Sequence, residues 1–189
     1  MLVPVRLRRH VNLSGTMQYI ISENPIEHAD QIEALYDVTF GPGHFAKTAE
    51  RLREHNRSIP DLNRVAINGD GVVIGAVRMW PIKFETGEAV LFVGPVAVHP
   101  DYRGEKLGLE LCRQALVAAQ KAGWLGAIII GTPDYFAPLG FTIVPPEQFT
   151  FPGPQDLSRV MRLDLAGDMS RCSGRIIPQR MKSSGRQFV

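Results

Sequence analysis

Cysteine is scarce in this sequence, and long apolar runs are absent. Cys112 and Cys172 are the two cysteines among 189 residues, and they lie far apart in the chain. Two distant thiols favour neither a disulfide framework nor a zinc site, so we expect both thiols to be reduced and no metal to be bound. No apolar run approaches the roughly 20 residues of a membrane-spanning helix, and the N-terminus lacks the apolar segment of a secretory signal. The sequence therefore predicts a cytoplasmic protein with no membrane partner.

Acidic residues are missing from both ends of the chain. Residues 1–16 carry three arginines and residues 171–189 carry five basic residues, with no Asp or Glu in either range. The remaining 13 basic and 19 acidic residues give residues 17–170 a net charge of −6. Basic tails can bind nucleic acid, but an acidic core without interleaved aromatic and basic residues argues against a dedicated nucleic-acid module.

The same charge pattern suggests three segments. We expect a disordered basic extension over residues 1–16, one folded domain over 17–170 and a basic C-terminal tail over 171–189, with a loose chain from Ala166 onward. For the first segment, an organelle transit peptide or a true translation start at Met17 is the alternative.

Apolar patterns predict a sheet of mixed strand pairing. Residues 64–98 contain three apolar runs separated by "GDG" and "TGE", which predicts an antiparallel meander. Residues 107–122 have the pattern of a helix that ends at Gly123, and the apolar run over 124–131 is typical of a strand buried on both faces in parallel pairing. Strand, helix and strand together predict one parallel crossover. Shorter strands are predicted over 18–23, 141–144 and 159–165, and helices over 24–40 and from residue 46.

A charged, glycine-containing turn precedes the helix of residues 107–122. It contains Arg103, Gly104, Lys106 and Gly108. The first N–H groups of a helix lack intrahelical partners and the helix dipole is positive there, so this position favours an anion. A Rossmann turn follows the first strand of its domain and a P-loop needs Gly-Lys-Ser/Thr, whereas this turn follows four predicted strands and lacks that triplet.

The order of elements and the segment "VAVHPDYRGEKLG" resemble the GNAT superfamily of acyl-coenzyme A-dependent N-acyltransferases. The signature of that family is Arg/Gln-x-x-Gly-x-Gly/Ala after a strand, with a Gly-Phe pair further along the chain. Residues 103–108 fill the first slot, and "GTPDYFAPLGF" (131–141) is similar to the second. That segment and "FGPGHFAKTAERLRE" (40–54) are most similar to the YhbS-like acetyltransferases. The resemblance covers roughly residues 18–177. It implies an α/β (α+β) GNAT fold with a mixed central sheet, an antiparallel meander, a parallel β-α-β crossover and flanking helices.

The resemblance also implies acetyl-coenzyme A as co-substrate, with its pantetheine arm inserted between two strands that splay apart. Gly94-Pro95 interrupts a predicted strand, which indicates a bulge or a separated ladder, and we place the divergence there. Backbone groups of Val96 and Val98 would pair with pantetheine amides, and the pyrophosphate would lie on the N–H groups of the turn. Lys106 departs from the family, which usually has glycine at this position. The predicted cofactor-binding residues are Val96, Ala97, Val98, Arg103, Gly104, Glu105, Lys106, Leu107 and Gly108.

Two side chains that assist catalysis in many relatives are absent. A carboxylate is replaced by Phe92, and the tyrosine that protonates the departing thiolate is replaced by Phe136. The acceptor amine must still lose a proton, because an unperturbed lysine-type amine has a pKa of about 10.4. Glu85 and Glu88 could take that proton through water, although exposed acids near a hairpin turn are the simpler interpretation. Tyr135 is the nearest phenol, and we predict it as the catalytic proton donor.

Together these expectations describe an N-acetyltransferase that moves an acetyl group from acetyl-coenzyme A to a primary amine of a small molecule or peptide. The alternative is a non-catalytic module of the same fold that binds acyl-coenzyme A without turnover. The acidic core favours a cationic acceptor. We expect part of the acceptor pocket at "FGPGHF" (40–45) with Arg78 and Trp80, and assembly as a homodimer is left open.

Overall fold

The computed structural model describes residues 8–10, 19–23, 26–41 and 48–179. Among these residues, no helix is both long and apolar enough to cross a membrane. The strands are β1 (Arg8–His10), β2 (Tyr19–Ser22), β3 (Arg64–Asn68), β4 (Val73–Phe84), β5 (Ala89–Val98), β6 (Gly126–Ile130), β7 (Thr142–Ile143), β8 (Phe149–Thr150), β9 (Val160–Asp164) and β10 (Gly174–Pro178). The helices are α1 (Ala29–Phe40), α2 (Thr48–Arg53), α3 (Leu107–Lys121) and α4 (Pro133–Phe136).

The sheet combines an antiparallel meander with one parallel pair, as the sequence predicts. The strand order is β1-β2-β3-β4-β5-β6-β9-β7, and β3, β4 and β5 pair antiparallel in succession. The turn between β3 and β4 is closed by Asn68, whose side-chain oxygen accepts hydrogen bonds from the N–H groups of Asp70 and Val72. After β5 the chain passes through α3 and returns as β6, which pairs parallel with β5.

Side-chain alternation along β5 and β6 separates the two faces of the sheet. Val93 and Ile129 belong to the apolar cluster that contains the buried stripe of α3. Phe92 and Ile128 point the other way and pack in a cluster with Leu52 of α2. Helix α1 covers that second face as well, next to α2, through a cluster that includes alanines of β4 and β5. The sheet therefore has α3 on one face and α1 and α2 on the other.

The prediction of a loose chain from Ala166 onward is wrong for the residues up to Gln179. Strand β10 pairs antiparallel with β4, where Ile176 lies opposite Phe84, and parallel with β8. Met169, Cys172 and Ile176 are at most 3% exposed. The physical reason is that β3 pairs with only the first half of β4, which leaves an edge for another strand. A boundary at residue 171 therefore divides a packed segment, and residues 180–189 lie outside the described residues.

Part of the predicted disordered extension over residues 1–16 is also ordered. Residues Arg8–His10 form β1, which pairs antiparallel with β2 in a register that places Arg8 opposite Ile21. A strand at a sheet edge offers unpaired backbone N–H and C=O groups, so a short segment can pair with it without any apolar periodicity. The other residues of the extension lie outside the described residues.

Candidate functional site

A cleft opens where β5 and β6 stop pairing. The parallel ladder joins Leu91, Phe92 and Val93 of β5 to residues 127–129 of β6 and goes no further, although β5 runs on to Val98. The two neighbouring strands therefore separate beyond Val93, which leaves one edge of β5 open.

The separation begins at a bulge in β5. In the register between β4 and β5, Gly94 and Pro95 together lie opposite the single residue Arg78. Trp80 of β4 supports the bulge, because its indole Nε1 donates a hydrogen bond of 2.5 Å to the carbonyl oxygen of Gly94. A bulge bends the strand that carries it and leaves part of its ladder unpaired. The structure thus confirms the interruption that the sequence predicts at Gly94-Pro95.

Backbone groups of Val96 and Val98 face the cleft. The N–H of His99 donates to the carbonyl oxygen of Ile74 in β4 over 2.8 Å. Successive residues of a strand direct their backbone groups to opposite sides, so Ala97 also faces β4 while Val96 and Val98 face away from it. The resulting edge is of the kind that binds an extended amide chain by strand addition.

Helix α3 begins at the same cleft. Its first turn has three N–H groups, those of Leu107, Gly108 and Leu109, that precede the bond from the Glu110 N–H to the Lys106 carbonyl. Such groups attract an anion, and the helix dipole adds to the attraction. A Cβ at Gly108 would lie 2.6 Å from the Tyr135 hydroxyl oxygen and 3.4 Å from a methyl carbon of Val98. This glycine therefore permits close approach to the first turn of α3.

Two residues of the preceding turn have a left-handed backbone. The φ angle is 95° at Gly104 and 57° at Lys106. A residue with a Cβ pays about 1–2 kcal/mol for this conformation. The left-handed backbone at position 106 therefore favours glycine, which is the residue that the family usually has there, over the lysine of this chain. The Lys106 and Arg103 side chains are exposed and line the cleft.

The cleft has a volume of about 870 Å³ and connects the two faces of the sheet. Ligand sites commonly have volumes of about 300–1,000 Å³. On the α3 face it is lined by the turn before α3, by α4 and by the open edge of β5. On the other face its lining residues are Thr39, Phe40, Arg53, Phe92, Pro154, Gln155, Asp156 and Arg159.

Most of the predicted site residues meet in this cleft. Ala97 and Glu105 are not among the described residues that line it. Ala97 is fully buried in the cluster that contains α1. The predicted residues that do line the cleft are Val96, Val98, Arg103, Gly104, Lys106, Leu107, Gly108 and Tyr135.

Tyr135 lies at the α3 end of the cleft and is 41% exposed. Partial burial raises the pKa of its phenol, the nearby Cys112 raises it further, and a hydrogen bond from the Leu109 backbone lowers it in part. Phe136 is buried beside it, with the two rings edge to face and their centroids 4.8 Å apart. The predicted proton donor is therefore a neutral phenol at pH 7 whose hydroxyl lies on the first turn of α3.

The opposite face of the cleft carries charges that sequence reasoning missed. Arg53, Arg159 and Asp156 line it there. Hydrogen bonds from the hydroxyl and the backbone N–H of Ser158 lower the pKa of Asp156, so its carboxyl group is ionised at neutral pH. Asp156-x-Ser158 has the pattern of a turn, but no signal in the sequence sets that turn against a cleft formed by β5 and α2.

The other candidate residues lie outside the cleft lining. Arg78 forms an ion pair of 2.8 Å with Glu33 and lies over the Tyr36 ring. Glu85 pairs with Arg175, and Glu88 accepts a hydrogen bond from the Thr86 hydroxyl. Within the described ranges, no three His, Cys, Asp or Glu side chains lie close enough together to hold a metal ion. Of the segment 40–45, Phe40 lines the cleft, and residues 42–45 lie outside the described residues.

Comparison with known proteins identifies relatives over most of the chain. Residues 29–134 match the family described as the acetyltransferase (GNAT) family. The chain is 31% identical over 145 residues to a protein of Escherichia coli strain K12 named uncharacterized N-acetyltransferase YhbS. That alignment covers 75% of this chain and 84% of the relative.

Solved structures show the same fold. The crystal structure of YhbS from Escherichia coli in complex with CoA matches with a TM-score of 0.70 and 22% identity, over 95% of this chain and 93% of that one. A GNAT family acetyltransferase from Brucella melitensis in complex with acetyl-CoA matches with a TM-score of 0.63 and 22% identity, over 85% and 96%. The arrangement of mixed sheet and flanking helices expected from the sequence is thereby confirmed.

Proposed function

Because the chain belongs to the GNAT family of acetyltransferases, we propose that it binds acetyl-coenzyme A and transfers the acetyl group to a primary amine of a small molecule or peptide. The resemblance that the sequence analysis drew from residues 103–108 and 131–141 is confirmed at the level of the family. The YhbS and Brucella melitensis proteins were crystallised with CoA and acetyl-CoA, which supports the choice of co-substrate.

The observation that carries the proposal is the open edge of β5. The backbone groups of Val96 and Val98 face a cleft that leads to the first turn of α3. An extended chain with two amides, such as pantetheine, pairs with such an edge, and a pyrophosphate binds the N–H groups that begin α3. Arg103 and Lys106 line the same end and add positive charge for the phosphates. The shape and the donors of the cleft thus fit coenzyme A from its phosphates to its thiol end.

Acetyl transfer in this cleft forms one bond and breaks another. The neutral amine nitrogen attacks the carbonyl carbon of the thioester, the carbon–sulfur bond breaks, and coenzyme A leaves as a thiolate that takes up a proton. The acceptor reaches the thioester from the face of the sheet that α1 and α2 cover, because the α3 face is occupied by the phosphate end. Since Phe92 stands where many relatives have a carboxylate, the proton of the ammonium goes to water or to Asp156, the one acidic residue among the described residues that line the cleft.

We retain Tyr135 as the proposed proton donor to the thiolate. Its phenol is protonated at neutral pH, which this role requires. The hydroxyl accepts a hydrogen bond from the Leu109 backbone N–H at the first turn of α3, so it must turn away from that N–H to reach the thiolate. A bound pyrophosphate competes for that N–H and releases the hydroxyl toward the rest of the cleft. Binding of the coenzyme phosphates therefore frees the Tyr135 hydroxyl to donate its proton to the thiolate.

Turnover against amines tests the proposal. Acetyl-coenzyme A is incubated with the protein and a panel of primary amines, free thiol is followed by its reaction with a disulfide dye, and the acetylated amine is identified by mass spectrometry. Calorimetry with coenzyme A measures binding separately. Binding with no thiol release for any amine would favour the acyl-coenzyme A-binding module, and the absence of binding would overturn both. The cytoplasmic location stays a prediction of the sequence, and assembly as a homodimer stays open, as in the sequence analysis.

A further inference from the structure

The acceptor end of the cleft is bounded by two walls. Helices α1 and α2 form one wall with Thr39, Phe40 and Arg53, and the segment 154–159 before β9 forms the other. Each wall carries charge. The two walls therefore define which groups an acceptor can present next to the thioester.

The helical wall offers hydrogen-bond donors to an anion. Arg53 lies in the last turn of α2 and lines the cleft. Thr39 lines it from α1, and its hydroxyl oxygen is buried without a hydrogen-bond partner in the described part of the chain. A buried hydroxyl without a partner is costly, and a ligand that supplies one removes the cost. A guanidinium on the same wall as such a hydroxyl is suited to a carboxylate or a phosphate.

The facing wall offers a carboxylate. Asp156 is the one acidic residue among the described residues that line the cleft. Its Oδ1 accepts hydrogen bonds from the backbone N–H and hydroxyl of Ser158 over 3.1 and 2.6 Å. These contacts fix the carboxyl group in place and hold it ionised, and its second oxygen can accept from an ammonium group.

A hydrogen bond joins the two walls. Arg51 of α2 donates to the carbonyl oxygen of Pro152 over 2.7 Å. This contact joins α2 to the chain that leads to Asp156, so Arg53 and Asp156 are carried by elements that are tied together. The wall with Asp156 also carries Arg159, so an anion and a cation are both available at this end, and such a pair favours a ligand that carries both charges itself.

Resting on the proposed acetyl transfer, we propose that the acceptor is an amine that also carries an anionic group, a carboxylate or a phosphate. Asp156 binds its ammonium end, and Arg53 with the Thr39 hydroxyl binds its anionic group. The net negative charge of residues 17–170 favours a purely cationic acceptor. The charges that line the acceptor end of the cleft differ from this average. Among the described residues at the acceptor end, the two cations Arg53 and Arg159 outnumber the one acid, Asp156.

Matched acceptor pairs test the inference. The panel contains an α-amino acid and its C-terminal amide, and an aminoalkyl phosphate and the corresponding amino alcohol, so that carboxylate and phosphate are judged separately. We expect kcat/KM for the preferred anionic member to exceed that of its neutral partner by about 10- to 100-fold, the range of a charge-assisted hydrogen bond. Binding of each compound to the protein saturated with CoA, measured by calorimetry, gives a readout that does not need turnover.

Substitutions assign the two charges. Arg53→Gln should lower kcat/KM for the anionic member by about 10- to 100-fold more than for its neutral partner, which abolishes the preference. Asp156→Asn keeps the oxygen that caps Ser158, because Asn caps as well as Asp, and it should weaken both members of each pair. Arg57→Gln removes the same charge from an exposed residue outside the cleft lining and serves as the matched control. Unchanged CoA affinity and an unchanged circular dichroism spectrum show that each variant is folded.

The possible outcomes distinguish a failure of this inference from a failure of the proposed acetyl transfer. Turnover of neutral amines as fast as their anionic partners, or an equal loss for both in Arg53→Gln, overturns the inference and leaves acetyl transfer standing. Anion-dependent binding that Arg53→Gln removes, with no thiol release for any amine, supports the ligand class and overturns the transferase. No binding or turnover of any anionic amine by a protein that binds CoA overturns the inference.

Discussion

At the scale of single residues, Gly108 and Tyr135 determine how much room the first turn of α3 leaves for a ligand. The phenol hydroxyl lies 2.6 Å from where a Cβ of Gly108 would be. The hydroxyl is the end of a half-exposed side chain, so a ligand or a methyl group can displace it. A charged group at Gly108 would act differently, because it would occupy the place of the anion itself.

Gly108→Asp should lower the affinity for acetyl-coenzyme A at least tenfold, or about 1.4 kcal/mol. The aspartate places negative charge at the N–H groups that we assign to the pyrophosphate. Calorimetry measures the dissociation constant, and thermal unfolding shows that the variant is folded. Gly108→Ala adds a methyl group without a charge, so it should lower the affinity for acetyl-coenzyme A less than Gly108→Asp does. Equal affinities for the parent and Gly108→Asp would remove the assignment of this turn.

Tyr135→Phe should lower turnover by about 10²- to 10⁴-fold, the usual contribution of general acid catalysis, with little change in coenzyme affinity. The substitution removes the hydroxyl and keeps the ring and its edge-to-face contact with Phe136. Steady-state kinetics on a verified acceptor measure the turnover of parent and variant, and calorimetry measures their affinity for the coenzyme. Tyr19→Phe deletes a hydroxyl outside the described cleft lining and is the control. Turnover within about threefold of the parent would make Tyr135 a packing residue.

At the scale of elements, the sequence predicts those parts whose signals are local. The meander over residues 64–98 could be predicted because its turns contain Gly and Asp between apolar runs, and α3 because its apolar stripe is regular. Strand β10 could not be predicted, since its pairing depends on an edge of β4 that is distant in the chain. The same limit applies to the site. The turn before α3 is one continuous segment, whereas Arg53 and Asp156 meet only through the fold.

Ile176→Ala should destabilise the protein by about 2–5 kcal/mol, the range for a large buried aliphatic side chain cut back to alanine. Ile176 is fully buried and pairs opposite Phe84. Urea unfolding followed by circular dichroism measures the loss. The neighbouring Ile177 is only partly buried, so Ile177→Ala should reduce the free energy of unfolding clearly less. A loss below about 0.5 kcal/mol for Ile176→Ala would mean that the segment is loose in solution.

At the scale of the whole molecule, two buried acids couple stability to alkaline pH. Burial raises the pKa of Cys112 from 9.0 to about 12 and raises the pKa of the Tyr36 phenol as well. In the unfolded chain both groups ionise at their ordinary values, so above pH 9 the unfolded state binds fewer protons than the folded state. The free energy of unfolding therefore falls as the pH rises.

Between pH 9 and 12 we expect stability to fall by up to about 1.4 kcal/mol per pH unit for each such group. Urea unfolding at several pH values measures the slope. Cys112→Ala should lower stability at all pH values and flatten the slope above pH 9, because the thiol no longer ionises on unfolding. Identical slopes for parent and variant would show that Cys112 is not protected from ionisation by the fold.

The pairing of β10 with β4 has a consequence for the nascent chain. Ribosomes add about 5–20 residues per second, and Ile176 is made roughly 90 residues after its partner Phe84. For several seconds during each round of translation, the second half of β4 has no neighbour on that side, and Ile82 and Phe84 lack the side chain that later covers them. Uncovered apolar strand edges are where nascent chains aggregate and where chaperones bind. A ribosome that stalls between residues 159 and 176 therefore holds a chain that already contains every described cleft-lining residue but still lacks the strand that covers this edge of its sheet.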